Sequence, residues 1–174
     1  MPIPRRTPLA AGRSIQGLME RHCMDILASE GIAIERRCIQ HGTTSVFRHS
    51  VAVTHACVSL ACRLRVPVHE RDLLRGALLH DYFLYDWHES DPAHRLHGFR
   101  HPRTAYENAR RDFALTAIEG NMILRHMFPL TPVPPTCREA WLLCMADKYV
   151  ATRETARGLV RRLRGRGDAR RAGR

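Results

Sequence analysis

The sequence predicts an all-α domain, on three observations. Apolar residues recur at helical spacing through most of the chain, alternating strand patterns are nearly absent, and caps, glycines and prolines mark the helix boundaries. Ser14 caps a first helix whose Ile15, Leu18, Met19, Ile26 and Leu27 keep helical spacing, and Gly31 stops it. Residues 31–42 show no clear period and read as a connection. Thr43-Thr44-Ser45 starts a second helix that runs to about Leu64, with His49 on the face of Val46, Val53, Ala56, Leu60 and Leu64. Pro67 breaks the chain, and a third helix over 69–81 places Leu73, Ala77 and His80 on one stripe. Residues 82–100 are the longest irregular stretch. His101-Pro102 then reads as a cap followed by proline at the first helical position, opening a helix to about Asp112. The next helix carries Leu115, Ile118, Met122 and His126 and ends before Pro129, Pro132, Pro134 and Pro135. Thr136 and Glu139 read as a capping box for a last helix to about Arg157, where Ala140, Leu143, Cys144, Asp147 and Ala151 share a face.

At 174 residues, with 44% apolar and 26% charged residues, the chain reads as one globular domain. Its organisation is a basic N-terminal extension over 1–13, a folded body over 14–157 and an Arg-rich tail over 158–174, expected to be disordered. No apolar run approaches the roughly 20 residues that span a bilayer, so no membrane association is expected. The start, Met1-Pro2-Ile3-Pro4-Arg5-Arg6, lacks the apolar segment and cleavage site of a signal peptide. Six cysteines without a CxxC pair sit mostly at helical apolar positions and read as reduced thiols of a cytoplasmic protein.

The formal net charge is +11, but it is unevenly placed. Residues 158–174 hold seven Arg and one Asp (+6) and residues 1–13 hold three Arg and no acid (+3), which leaves +2 for 14–157. The body is near neutral, so nucleic acid is a partner only through the tail, where a solvated end is the plainer reading. Of 28 basic residues a single one is lysine, Lys148, directly after Asp147. A compact ammonium fits a tight site that a guanidinium does not, which makes Lys148 a candidate phosphate anchor beside the alternative that it survives by chance.

The chemistry gathers around Leu78-Leu79-His80-Asp81. His49 lies upstream, and His101, His126 and Asp147 follow at successive intervals of 20, 25 and 21 residues. Each stands on its own helix or at a helix start or end. A carboxylate such as Asp147 on an apolar stripe costs several kcal/mol to bury unpaired, and a metal ion removes that cost. Imidazole mixed with carboxylate suits a divalent first-row metal, and six ligands suffice for two ions.

The order H…HD…H…H…D over roughly residues 41–155 resembles the HD-domain superfamily of metal-dependent phosphohydrolases, in its short, stand-alone bacterial form. The resemblance implies a compact helical bundle with the metal site at its centre. His49, His80, Asp81 and Asp147 match the core quartet, and His101 and His126 match the extra histidines of members that hold two metals. Asp81 then bridges the two divalent ions, with His49, His80 and Asp147 completing one sphere and His101 and His126 the other. A shared water that has lost a proton attacks phosphorus. The implied substrate is a nucleotide or other small phosphorylated metabolite, held by Lys148 and an Arg such as Arg100, Arg103 or Arg125. Fe, Mn, Co, Zn and Mg are not distinguished. His97 competes with His101 as ligand, and the Pro102 that follows His101 favours the latter.

Departures narrow the resemblance. The chain has no Glu-Asp dipeptide of the stringent-response nucleotide hydrolases and no Gly-Tyr-Pro extension of the cyclic-di-GMP phosphodiesterases, and Met127-Phe128-Pro129 follows His126. In the aromatic loop, Tyr82, Tyr85 and Trp87 either stack a nucleobase at the pocket mouth or pack beneath a long connection. Two rival functions remain open at this point: a di-iron oxygenase with the same ligand set, and a noncatalytic metal- or nucleotide-binding regulatory module.

Overall fold

Residues 6–9, 14–88 and 96–172 are described by the computed structural model of the protein. Among them are eight helices: α1 Ile15–His22, α2 Met24–Leu27, α3 Glu30–Glu35, α4 Val46–Arg63, α5 Glu70–Leu78, α6 His97–Asp112, α7 Ala117–Arg125 and α8 Arg138–Ala172. A two-stranded antiparallel hairpin, β1 Ile39–His41 and β2 Thr44–Ser45, precedes α4. The all-α reading holds, and among the described residues no helix is long and apolar enough to cross a membrane.

The starts follow local chemistry. Ser14 Oγ accepts from the Gly17 N–H, Ser45 Oγ from the Arg48 N–H, and Thr116 closes a reciprocal capping box with Glu119. α4 packs on α5 and α8, α7 lies against both of those helices, and α6 covers α7. The apolar faces they turn inward include Val53, Leu73, Leu78, Met122, Ile123 and Leu143, all fully buried and each contributing about 1.5–3 kcal/mol. An ionic knot centred on buried Arg75 ties α2 and α7 to α5: Arg75 Nε donates to Glu119 Oε1 at 3.0 Å and its Nη1 to Asp25 Oδ1 at 2.6 Å. All six cysteines are free.

Several boundaries differ from the sequence reading. The first helix breaks at Cys23, and Gly31 does not end it but sits inside α3. A Cβ on Gly31 would collide with the Tyr82 ring, so this glycine serves close packing and not termination. The stretch 31–42 is therefore part helix and part hairpin. α5 stops at Leu78, which leaves His80 and Asp81 in the turn beyond it. α6 opens at His97, a turn before the expected His101, after Leu96 takes a left-handed conformation (φ 61°), so Pro102 lies inside the helix. Thr136 and Glu139 do not close a box: the Thr136 N–H donates to Asn121 Oδ1, while Glu139 accepts from the His69 N–H and Arg6.

The ends differ as well. α8 runs through Ala172, past the expected stop at Arg157, because no proline interrupts 138–172 and Arg, Leu and Ala are strong helix formers. At the other end Thr7 pairs with Val68 and Leu9 is buried, so this part of the 1–13 extension is docked.

Candidate metal centre

Four histidines reach one point because their rings are held from behind. α5 and α7 end just before His80 and His126, and the carbonyls of a last helical turn have no intrahelical partner. His80 Nδ1 takes the Ala77 carbonyl at 2.8 Å, and His126 Nδ1 takes the Ile123 carbonyl at 2.8 Å. His101 Nδ1 lies 3.0 Å from the His97 carbonyl one turn back on α6. His49, on α4, places Nδ1 2.9 Å from Glu154 Oε2 on α8. A carbonyl only accepts, so Nδ1 of His80, His101 and His126 carries the proton and Nε2 presents a lone pair to the centre.

The six expected ligands fall into two buried triads, His49–His80–Asp147 and Asp81–His101–His126. In the first, Asp147 Oδ1 is 3.1 Å from His49 Nε2 and 3.7 Å from His80 Nε2. In the second, Asp81 Oδ1 is 3.2 Å from His101 Nε2 and 3.6 Å from His126 Nε2. Asp81 turns its other oxygen, Oδ2, to the first triad, 3.4 Å from His80 Nε2 and 3.9 Å from His49 Nε2. Gln40 Nε2 donates to that same oxygen at 2.6 Å.

The donor set fits a metal. Two donors about 2.1 Å from one ion at right angles stand about 3 Å apart, which is the spacing found here. His80 Nε2 and Asp81 Oδ1 are buried with no hydrogen-bond partner. The Nε2 atoms of His101 and His126 stand 2.8 Å apart, two lone pairs facing each other across a gap that a cation would relieve. Burial pushes His126 down to about 3, which keeps it a lone-pair donor. Burial opposes ionisation of Asp81 and Asp147, and the surrounding histidines outweigh it, holding both carboxyls below the usual range. Burial likewise opposes a charge on His49, and its hydrogen bonds to Asp147 and Glu154 lift it to about 10.

A cavity of about 930 Å³ opens onto this centre. Asp81, His101, His126 and Asp147 line it, as do Gln40, Trp87 and Lys148. His97 lines the cavity but lies outside both triads: its ring stacks on His101 at 4.6 Å and its Nδ1 faces the Tyr85 hydroxyl at 2.9 Å. Tyr82 is buried and donates to Asp112, and Phe83 is buried, so these members of the aromatic loop pack inward. Lys148 Nζ donates to the His126 carbonyl at 3.0 Å.

Three expected substrate ligands lie elsewhere. Arg100 is exposed and outside the cavity lining, Arg103 pairs with Glu107 on the solvent face of α6, and Arg125 lines a separate depression with Tyr106 and Arg110. Their positions near histidines in sequence turn them to other faces of their helices.

Sequence reasoning did not find Gln40, Glu154 or Glu35. Glu154 follows Asp147 by seven residues, two helical turns, so a second acid on that face was its signal. Gln40 left none, since only the hairpin brings it to Asp81. Glu35 is buried with neither carboxylate oxygen hydrogen-bonded, and burial, then the charge of Asp81, holds it well above the usual carboxylate range.

A family model for the HD domain matches residues 46–152, more than half of the chain. The chain belongs to the HD domain family, whose members are in general metal-dependent hydrolases of phosphate bonds. No curated protein and no solved structure matches it.

Proposed function

We propose that the protein is a binuclear, metal-dependent phosphohydrolase that cleaves a phosphoester or phosphoanhydride bond in a small phosphorylated metabolite. The observation that carries this reading is the split of Asp81, one oxygen toward each triad, which suits a carboxylate shared by two ions. Bound divalent metal supplies an acidified water as nucleophile and charge to offset the phosphoryl oxygens. The chain supplies the rest. His49, His80 and Asp147 would hold one ion and His101 and His126 the other, with the Asp81 carboxylate, fixed by Gln40, turned to both. Lys148 stands at the cavity with an ammonium shared among the His126 and Cys144 carbonyls and the Cys144 thiol. The thiol is a weak acceptor, and a phosphoryl oxygen replaces it at Nζ.

The test is reconstitution of chelated protein with Mn, Fe, Co, Zn or Mg, followed by elemental analysis and phosphate release from a panel of phosphoesters and phosphoanhydrides. The expected result is two ions per chain and metal-dependent release. Oxygen uptake with iron and no release from any phosphate would replace this reading with the oxygenase. Lys148→Met is expected to keep its metal and lose about 10- to 1000-fold in turnover, the loss of a charge-assisted hydrogen bond in the transition state.

A further inference from the structure

The wall of the cavity facing the triads has a composition of its own. Trp87, Met127, Pro129, Leu130 and Ala151 make it apolar, and Lys148 is the single lysine or arginine among the described lining residues. The arginines that sequence had offered for additional phosphates are on other surfaces. At about 930 Å³ the space far exceeds an orthophosphate and matches a small organic molecule.

Besides Asp81 Oδ1 in the triad, two polar atoms on described lining residues are buried and without a partner: the Trp87 indole N–H and Gln40 Oε1. One is a neutral donor and the other a neutral acceptor. The indole stacks on His97 at 5.0 Å with ring planes 10° apart, so one face of Trp87 is already covered. What remains to a ligand is an apolar wall with neutral hydrogen-bonding points. A second phosphate or a carboxylate placed against Met127 and Leu130 would lose its hydration with no cation among the described lining residues, apart from Lys148, to replace it.

We infer that the cavity selects phosphate monoesters with one phosphoryl group on a largely apolar and otherwise uncharged body, and rejects di- and triphosphates and bodies that carry further anions. This rests on the phosphohydrolase reading and narrows its substrate class. The phosphoryl group takes the triads and Lys148, and the body takes the Trp87–Leu130 wall.

The experiment uses three non-hydrolysable probes on the metal-loaded full chain, with affinity read by calorimetry: methylphosphonate, phenylphosphonate and 4-carboxyphenylphosphonate. Phenylphosphonate is expected to bind at least tenfold tighter than methylphosphonate, about 1.4 kcal/mol from the added ring. The carboxylated ring is expected to bind at least tenfold weaker than the plain one. Leu130→Arg, a change at a position 46% exposed that the fold tolerates, is expected to bring the phenyl to carboxyphenyl ratio close to one. Equal affinity for methyl- and phenylphosphonate, a carboxylated ring bound as tightly as the plain one, or a ratio unmoved by Leu130→Arg would overturn the inference. These outcomes are separable from failure of the hydrolase reading, which is a lack of phosphate release from every ester in the panel. Release from nucleoside triphosphates faster than from aryl or alkyl monophosphates keeps the hydrolase and overturns the selectivity.

Discussion

His49 is held from behind by a carboxylate 105 residues away, whereas His80, His101 and His126 are held by carbonyls only three or four residues upstream of themselves. The two triads thus use the same residue types, and His49 alone is supported from another element of the fold. The Asp81–His101–His126 triad faces the cavity, and its histidines are oriented within their own helix or its end. In the other triad, neither His49 nor His80 lines the cavity, and His49 joins α4 to α8 through both Asp147 and Glu154. The inner triad is therefore part of the packing of the bundle, and the outer one is set on a bundle that is already complete. Asp81 is the residue with one oxygen turned to each triad.

The largest expected effect tests that shared role. Asp81→Ala removes an oxygen from each triad and is expected to lose both ions and all phosphate release. Retention of two ions per chain in elemental analysis would show that the triads are independent.

The next effect separates the triads by stability. His49→Ala leaves Asp147 and Glu154 without their partner and is expected to cost the metal-free fold about 3–5 kcal/mol, the cost of breaking a buried pair. His126→Ala removes a ring whose only support is local and that opens onto the cavity. It is expected to keep one ion, lose most activity, and cost roughly half as much or less in denaturant unfolding. Equal costs for the two would dissolve the distinction between packing and cavity sides.

Glu154 sharpens the same contrast through metal affinity. A carboxylate behind a ligating histidine orients the ring and raises its basicity, and its loss typically costs about 10- to 100-fold in affinity. Glu154→Gln keeps an acceptor and is expected near the lower value, and Glu154→Ala near the upper, in competition with a chelator. If both bind metal as the parent does, the His49 contact is packing alone.

The difference in support also explains what was legible in sequence. The six candidate ligands were visible as an ordered set that resembles the HD family, and Asp147 also because a carboxylate on an apolar helix face carries a cost that a metal ion removes. The locally held histidines follow from where α5 and α7 end. Glu154 and Gln40 act across the fold, so no local pattern announced Gln40, and Glu154 showed only as an acid two turns from Asp147. Boundaries failed for the same kind of reason. Gly31 is small because Tyr82 crosses it, and α6 gains a turn before Pro102 because Leu96 adopts a left-handed backbone. Arg100, Arg103 and Arg125 show that neighbouring a ligand in sequence does not set which helix face sees the cavity.

The smallest expected effect concerns Glu35, whose buried carboxyl feels the charges of Asp81 and His49 and has no hydrogen bond of its own. With metal removed, the native state holds this proton well above the ordinary carboxylate range, while the unfolded chain releases it near pH 4.3. Between those two values the unfolded state binds fewer protons, so native stability falls as pH rises, by up to about 1.4 kcal/mol per pH unit from this group. Below the unfolded value both states are protonated and the penalty vanishes. Glu35→Gln keeps the shape and removes the titration. In chelator it is expected to match the parent near pH 4 and to melt higher than the parent at pH 7. A melting difference between variant and parent that does not change with pH would mean that Glu35 is ionised in the fold, with its charge balanced by His49.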